Sequence, residues 1–198
     1  MIELAKIPSC HGKKADPIVF RTPAELAEYA KNIPWQATPV KVPMAPIVAL
    51  EQFIQRTGVR ISKPMITDKP TGLPMAAYDH ENNIIGMVPI EYFPDGMMYY
   101  RVLFHEMGHW IAATGTMENV QLAKMATNVP SFGPLSEYGA DIGAYLALDH
   151  LGYPGQVDCG RLNRYMPINV APEPIIKIVQ DFGRDTAITL LRRGGIAI

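Results

Sequence analysis

The feature that most constrains this chain is the segment RVLFHEMGHW at 101–110, which places two of the five histidines four residues apart in an apolar, helix-length stretch. On an α-helix, positions four apart differ by about 40° and face the same way. His105 and His109 can therefore direct their imidazoles to one point, with Glu106 on the flank of that face. The other positions are mostly apolar, which predicts a helix over 97–114 with one buried side.

This spacing is the HExxH pattern, in which two histidines hold zinc and the carboxylate takes a proton from metal-bound water. Zinc lowers the pKa of that water to about 7, so a nucleophile forms at neutral pH. The alternative is that both histidines are ordinary core or surface residues that happen to be so spaced. The apolar flanks and Gly108, which leaves room for another backbone, favour the metal site. We expect Zn2+ as cofactor, His105 and His109 as ligands, and Glu106 as the catalytic base.

A catalytic zinc site needs a third protein ligand and an open fourth position. The metzincin pattern would need a histidine where the chain has Gly115. A gluzincin takes its third ligand from a glutamate on a later helix, and the segment 136–152 supplies Glu137 and, one turn on, Asp141. Both could merely be solvated acids. We expect instead that Glu137 binds the metal and that Asp141 hydrogen-bonds the distal nitrogen of one ligand histidine.

Composition bounds the class of protein. A polypeptide of 198 residues fits one domain with a sizeable core, and 48% hydrophobic and 19% charged residues are typical of a globular protein. The formal net charge of −1 gives no reason to expect nucleic acid or an anionic membrane as partner. The sequence shows no apolar run of membrane-spanning length and no signal peptide. Two cysteines make no disulfide framework, so we expect a cytoplasmic protein.

The order of predicted elements indicates the fold. Most of the 18 prolines precede residue 95, and we divide the sequence into a proline-rich N-terminal segment, 1–45, and a domain, 46–198. Short helices are expected at 22–32 and at 47–57, the second ending at Gly58. A short strand is expected at 59–62 and a hairpin of two strands at 75–88. Further helices are expected at 97–114, 118–127, 136–151, 173–181 and 184–193. This order predicts an α+β fold, a small antiparallel sheet packed on the HExxH helix and the following glutamate helix.

The segment 76–110 resembles the zincin-like metallopeptidase domain of ArdC-type antirestriction proteins. The shared features are a Tyr-Asp hairpin, a Met-Pro-like strand end, a phenylalanine, a tyrosine pair and HExxH followed by tryptophan. They fall on Tyr78, Asp79, Met87, Pro89, Phe93, Tyr99, Tyr100, His105, Glu106, His109 and Trp110. SEYGADIGAYL is similar to the family's glutamate-rich helix, which implies Glu137 as the third ligand. The resemblance covers roughly 46–152; a weaker similarity is to the ImmA/IrrE peptidases.

The sequence departs from that family at several positions. The usual Glu-Glu start of the second helix is Ser136-Glu137 here, the later glutamate is Asp141, and the Ser-Arg-Leu signature after Trp110 is missing. ArdC-type proteins also carry an N-terminal domain that binds single-stranded DNA. Residues 1–45 are too few and too rich in proline to form it, so we do not expect this protein to bind nucleic acid.

These observations predict a zinc-dependent metallopeptidase of phage or mobile-element origin that acts on a host or regulatory protein. Its extended peptide substrate would add to an edge strand of the 75–88 hairpin. The main alternative is a non-catalytic, zinc-containing binding or decoy module with antirestriction-type activity. A structural zinc site with Cys159 as fourth ligand, Glu118 as a competing acid, and an N-terminal arm that brings Cys10 to the metal are further alternatives. The oligomeric state stays open.

Overall fold

The computed structural model of the protein describes residues 46–62, 76–90, 93, 96–114, 132–153 and 173–198. In sequence order its elements are α1 (Val48–Thr57), β1 (Ile61–Ser62), β2 (Ala77–Asp79), β3 (Ile84–Gly86), α2 (Gly96–Ala113), α3 (Phe132–His150) and α4 (Glu173–Arg193). The predicted α+β class is confirmed. The helices expected at 22–32 and 118–127 lie outside the described residues, as do Cys10, Glu118, Cys159 and the whole segment 1–45.

Helix α1 ends where the sequence predicts. Gly58 has a left-handed φ of 76°, and its N–H donates to the carbonyl of Gln55 at 3.3 Å. The apolar face of α1 packs on α2, where the ring of Phe53 stacks on that of Phe104 with centroids 5.6 Å apart. The start of α1 is fixed from the same side, because the buried hydroxyl of Tyr100 accepts the N–H of Ile47 at 2.9 Å.

The sheet has the strand order β1-β3-β2 and is mixed. Strands β2 and β3 form the predicted antiparallel hairpin, with Tyr78 opposite Ile85. Strand β1 pairs with β3 in parallel, Ile61 opposite Ile85, so the prediction of an antiparallel sheet is wrong for this strand. A local pattern identifies a strand but not its direction relative to a distant partner. The chain between β1 and β3, 63–83, includes β2 and is long enough for the crossover that a parallel pair requires.

The C-terminal region forms one helix, whereas the sequence predicted two with a break near Gly183. Helix α4 runs through this glycine without interruption. A Cβ at position 183 would lie 2.4 Å from Cγ2 of Ile142 on α3. The glycine is therefore required for close contact between helices and does not end the helix.

Helices α2, α3 and α4 pack at unusually short range around the core. A Cβ at Gly139 of α3 would lie 1.6 Å from Cδ1 of Phe182 on α4. A Cβ at Gly108 of α2 would lie 3.0 Å from Cα of Ala140, so the room for another backbone that the sequence predicts at Gly108 is filled by α3. This packing brings α3 against the HExxH face of α2. Within the described residues, no helix is long and apolar enough to cross a membrane.

Candidate metal centre

Helices α2 and α3 bring three metal-ligating side chains together. The Nε2 atoms of His105 and His109, one turn apart on α2, are separated by 3.1 Å. The carboxylate of Glu137 on α3 lies against both, with Oε2 3.2 Å from Nε2 of His105 and Oε1 3.2 Å from Nε2 of His109. These three side chains form a compact cluster, which we call the triangle.

The triangle has the dimensions of a tetrahedral metal site. Bonds of about 2.0–2.1 Å to a central ion place neighbouring ligand atoms about 3.3 Å apart. The contacts among His105, His109 and Glu137, at 3.1 to 3.2 Å, are close to this separation. Two imidazoles and a carboxylate suit zinc and other divalent first-row metals. Across the described parts of the protein, no fourth histidine, cysteine or acid joins the cluster, so the donor set fits a three-ligand site.

The electrostatics of the triangle favour an ionised carboxylate. Burial alone would raise the pKa of Glu137, but hydrogen bonds with His105 and His109 and their charges outweigh burial and hold this pKa well below its usual range. The side chain of His105 is 3% exposed, that of His109 17% and that of Glu137 28%, so solvent reaches the cluster from the Glu137 side. The group that faces solvent is thus an anion, the form that binds a cation.

Each histidine also contacts α3 through its other ring nitrogen. Nδ1 of His105 lies 2.6 Å from Oδ1 of Asp141. With a metal on Nε2, Nδ1–H would donate to this carboxylate and fix the tautomer of His105. Nδ1 of His109 lies 3.2 Å from Oγ of Ser136. Sequence reasoning missed the Ser136 contact, since it depends on how α3 crosses α2 and no periodic pattern marks it.

The carboxylate of Glu106 lies between α2 and the sheet, where its Oε2 accepts the backbone N–H of Tyr78 at 3.0 Å. The strand register explains this contact. The N–H of Ile85 donates to the carbonyl of Arg60 in front of β1 at 2.8 Å, so it points away from β2. Tyr78, which is opposite Ile85, therefore belongs to a non-hydrogen-bonded pair, and its N–H and C=O face the outer side of β2. This contact could not be predicted without the register.

Comparisons with known proteins identify the family and the fold. The sequence model of the MPTase-PolyVal family, a zincin-like metallopeptidase family, matches residues 48–165. Among curated proteins, none matches the sequence. The crystal structure of the antirestriction protein ArdC from plasmid R388 in its Mn(II)-bound form has a TM-score of 0.51 at 22% identity and covers 76% of this protein and 53% of ArdC. The metal-free ArdC structure has a TM-score of 0.56 at 21% identity and covers 79% of this protein and 54% of ArdC.

The protein thus spans about half the length of ArdC, and at this level of identity the likeness shows a shared fold. The family match is the stronger finding, because it extends over more than half of the 198 residues and includes the HExxH helix and the helix that carries Glu137. The resemblance inferred from the sequence is confirmed. The chain belongs to the zincin-like metallopeptidase family.

Proposed function

We propose that this protein is a zinc-dependent peptidase in which His105, His109 and Glu137 hold the metal and Glu106 acts as general base. The observation that carries the proposal is the triangle of three side chains, whose shortest contacts of 3.1 to 3.2 Å are close to the separation of ligand atoms around a tetrahedral ion. Membership of the zincin-like family supports it, and the Mn(II)-bound structure of ArdC supports a divalent cation at such a fold.

The metal and the side chains around the triangle would each have a separate role in peptide hydrolysis. Bound there, a divalent metal would polarise a substrate carbonyl and lower the pKa of the water it holds. Glu106 would accept a proton from the attacking water and donate it to the leaving amine. Asp141 would fix the tautomer and ring orientation of His105 through the 2.6 Å contact, and Ser136 would do the same more weakly for His109.

The proposed substrate is an extended segment of a protein. Strand β2 lies at one edge of the sheet, and no other strand of the described residues is on its outer side. The backbone carbonyl of Tyr78 faces that side, where it can accept an N–H from a peptide that adds to the edge. A host or regulatory protein is the substrate class we propose. The ArdC relative is encoded on a plasmid, which supports an origin in a mobile element.

Metal analysis and a search for new protein termini test this proposal. We expect one equivalent of zinc per protein molecule and metal-dependent neo-N-termini when the protein is incubated with a bacterial lysate. Glu106→Gln should keep the metal and abolish cleavage, whereas His105→Ala should lose both. Glu81→Gln, in the exposed turn of the hairpin, is the matched control and should keep both. Cleavage that persists in Glu106→Gln, or wild-type protein that binds no metal, would contradict the proposal.

A second candidate is a non-catalytic binding module with antirestriction-type activity, which the ArdC likeness favours. The two candidates differ in their need for Glu106. Unmodified plasmid DNA can be transformed into a restricting host that expresses either the wild-type protein or Glu106→Gln. Equal protection by both proteins would support the binding module, and protection by the wild type alone would support the peptidase.

A further inference from the structure

We infer that the backbone N–H of Tyr78 positions the carboxylate of Glu106, so that edge strand β2 sets the orientation of the proposed base. The inference rests on the proposed function, since it assigns a role to the group that holds the base. The group to which we assign this role is a backbone amide of the sheet, and no sequence motif identifies it.

The burial of Glu106 is the first support. This residue is 8% exposed, and a buried carboxylate without hydrogen-bond donors is costly. Within the described part of the protein, the N–H of Tyr78 supplies the one hydrogen bond to this carboxylate, at 3.0 Å to Oε2. A glutamate side chain has several rotatable bonds, and fixing one oxygen restricts them. We assign proton transfer to the other oxygen, Oε1.

The strand register is the second support. Because the pair of Tyr78 and Ile85 exchanges no backbone hydrogen bonds, the N–H of Tyr78 is not required by the β2–β3 ladder. The side chain of Tyr78 has separate partners, since its hydroxyl donates to Oδ1 of Asn83 at 3.0 Å and its ring meets that of His80 edge-on with centroids 4.6 Å apart. The contact with Glu106 can therefore be removed without breaking the hairpin's backbone ladder.

Amide exchange tests the contact without any need for a substrate. In the wild-type protein, NMR should find the Tyr78 amide protected, although it lies at a non-hydrogen-bonded position of an edge strand. Glu106→Gln should retain this protection, since the amide oxygen of glutamine can accept the same N–H. Glu106→Ala should raise the exchange rate at least about tenfold, as expected for the loss of one buried hydrogen bond. An exchange rate that is equal in Glu106→Ala and wild type would overturn the inference.

A proline substitution tests the role in catalysis. Tyr78→Pro removes the N–H, and an edge strand tolerates proline where the N–H is outside the ladder. With a peptide identified by the terminus search as probe, kcat should fall roughly 10- to 100-fold, because a misplaced base loses alignment, while KM and zinc content stay close to wild type. Asn83→Gly, which removes the partner of the Tyr78 hydroxyl and suits the positive φ of 51° at that position, is the control and should cleave normally.

If Tyr78→Pro fails to fold, the α-hydroxy acid analogue of tyrosine, introduced at position 78 by nonsense suppression, removes the same N–H and keeps the side chain. A folded variant of either kind with wild-type kcat would overturn the inference. Wild-type protein that cleaves nothing would contradict the proposed function, and the amide exchange of Tyr78 would still decide whether the strand holds Glu106.

Discussion

Replacing Gly139 by alanine should separate the effect of helix packing from that of helix propensity. Gly139 lies on α3 between Glu137 and Asp141, the residues that face the histidines of the metal centre. A Cβ at this position would lie 1.6, 2.3 and 2.6 Å from three carbon atoms of the Phe182 ring. Since carbon atoms pack best at about 3.5–4.0 Å, the ring would have to move by about 2 Å.

Two opposing effects of Gly139→Ala set the change in the free energy of unfolding. Alanine in a helix interior is more stable than glycine by up to about 1 kcal/mol. Overpacking a well-filled core costs about 1–3 kcal/mol, and the Phe182 ring is completely buried, with no solvent-exposed side to move to. The overlap at Gly139 belongs at the upper end of this range, so we expect Gly139→Ala to lower the free energy of unfolding by about 1–2 kcal/mol. For a protein of this size, the melting temperature should fall by about 4 °C.

The same change should weaken metal binding. If the Phe182 ring cannot move, α3 must shift away from α4, and Glu137 and Asp141 shift with it. A contact such as the 2.6 Å distance from Asp141 to His105 tolerates little displacement, so we expect roughly tenfold lower zinc affinity.

Urea unfolding of the metal-free protein measures the loss of stability, and competition with a chromophoric zinc chelator measures the loss of zinc affinity. His150→Ala, at the exposed end of α3, is the control and should change stability by less than about 0.5 kcal/mol. In the background of Gly139→Ala, Phe182→Leu should recover part of the lost stability. A Gly139→Ala protein that is as stable as wild type, or more stable, would show that the helix propensity of alanine outweighs the overlap with Phe182. That result would refute this reasoning.

Three further predictions concern the residues that orient the histidines, the start of α1 and the bound metal itself. Asp141→Asn should lower zinc affinity roughly tenfold, and Ser136→Ala should lower it less, because a charged acceptor orients His105 more strongly than a hydroxyl orients His109. Chelator competition measures both affinities. A larger loss in Ser136→Ala than in Asp141→Asn would contradict these roles. Tyr100→Phe removes the hydroxyl that bonds the start of α1 and should cost about 1 kcal/mol in urea unfolding without altering zinc affinity. Zinc at 100 times its Kd should stabilise the wild type by about 2.7 kcal/mol, and a chelator should abolish that gain.

The helices that carry the candidate ligands could be predicted because their signals are local. The apolar residues around HEMGH repeat with helical period, and the observed α2, Gly96–Ala113, matches the expected 97–114 closely. Glu137 and Asp141 share a face because they are four residues apart, a relation that the sequence shows directly. Gly58 could be recognised as a helix end because no residue with helical pattern follows it.

The remaining features depend on contacts between distant segments. Gly183 and Gly58 have different surroundings. A Cβ at position 183 would meet Ile142, whereas a Cβ at position 58 would have no atom within 4 Å. A sequence pattern does not distinguish a glycine that ends a helix from one that admits a neighbouring helix. The parallel pairing of β1 and the hydrogen bond from Tyr78 to Glu106 likewise follow from the register of the sheet.

No described side chain of helix α4 belongs to the cluster, but this helix determines where two of the candidate site's acids lie. Its contacts with α3 are reciprocal, because Phe182 packs over Gly139 and Gly183 admits Ile142. Ridges from both helices thus fix the position of α3, and with it the position of Glu137 relative to the histidines of α2. Metal affinity in this protein should therefore respond to core substitutions on α4 that touch neither the metal nor its ligands.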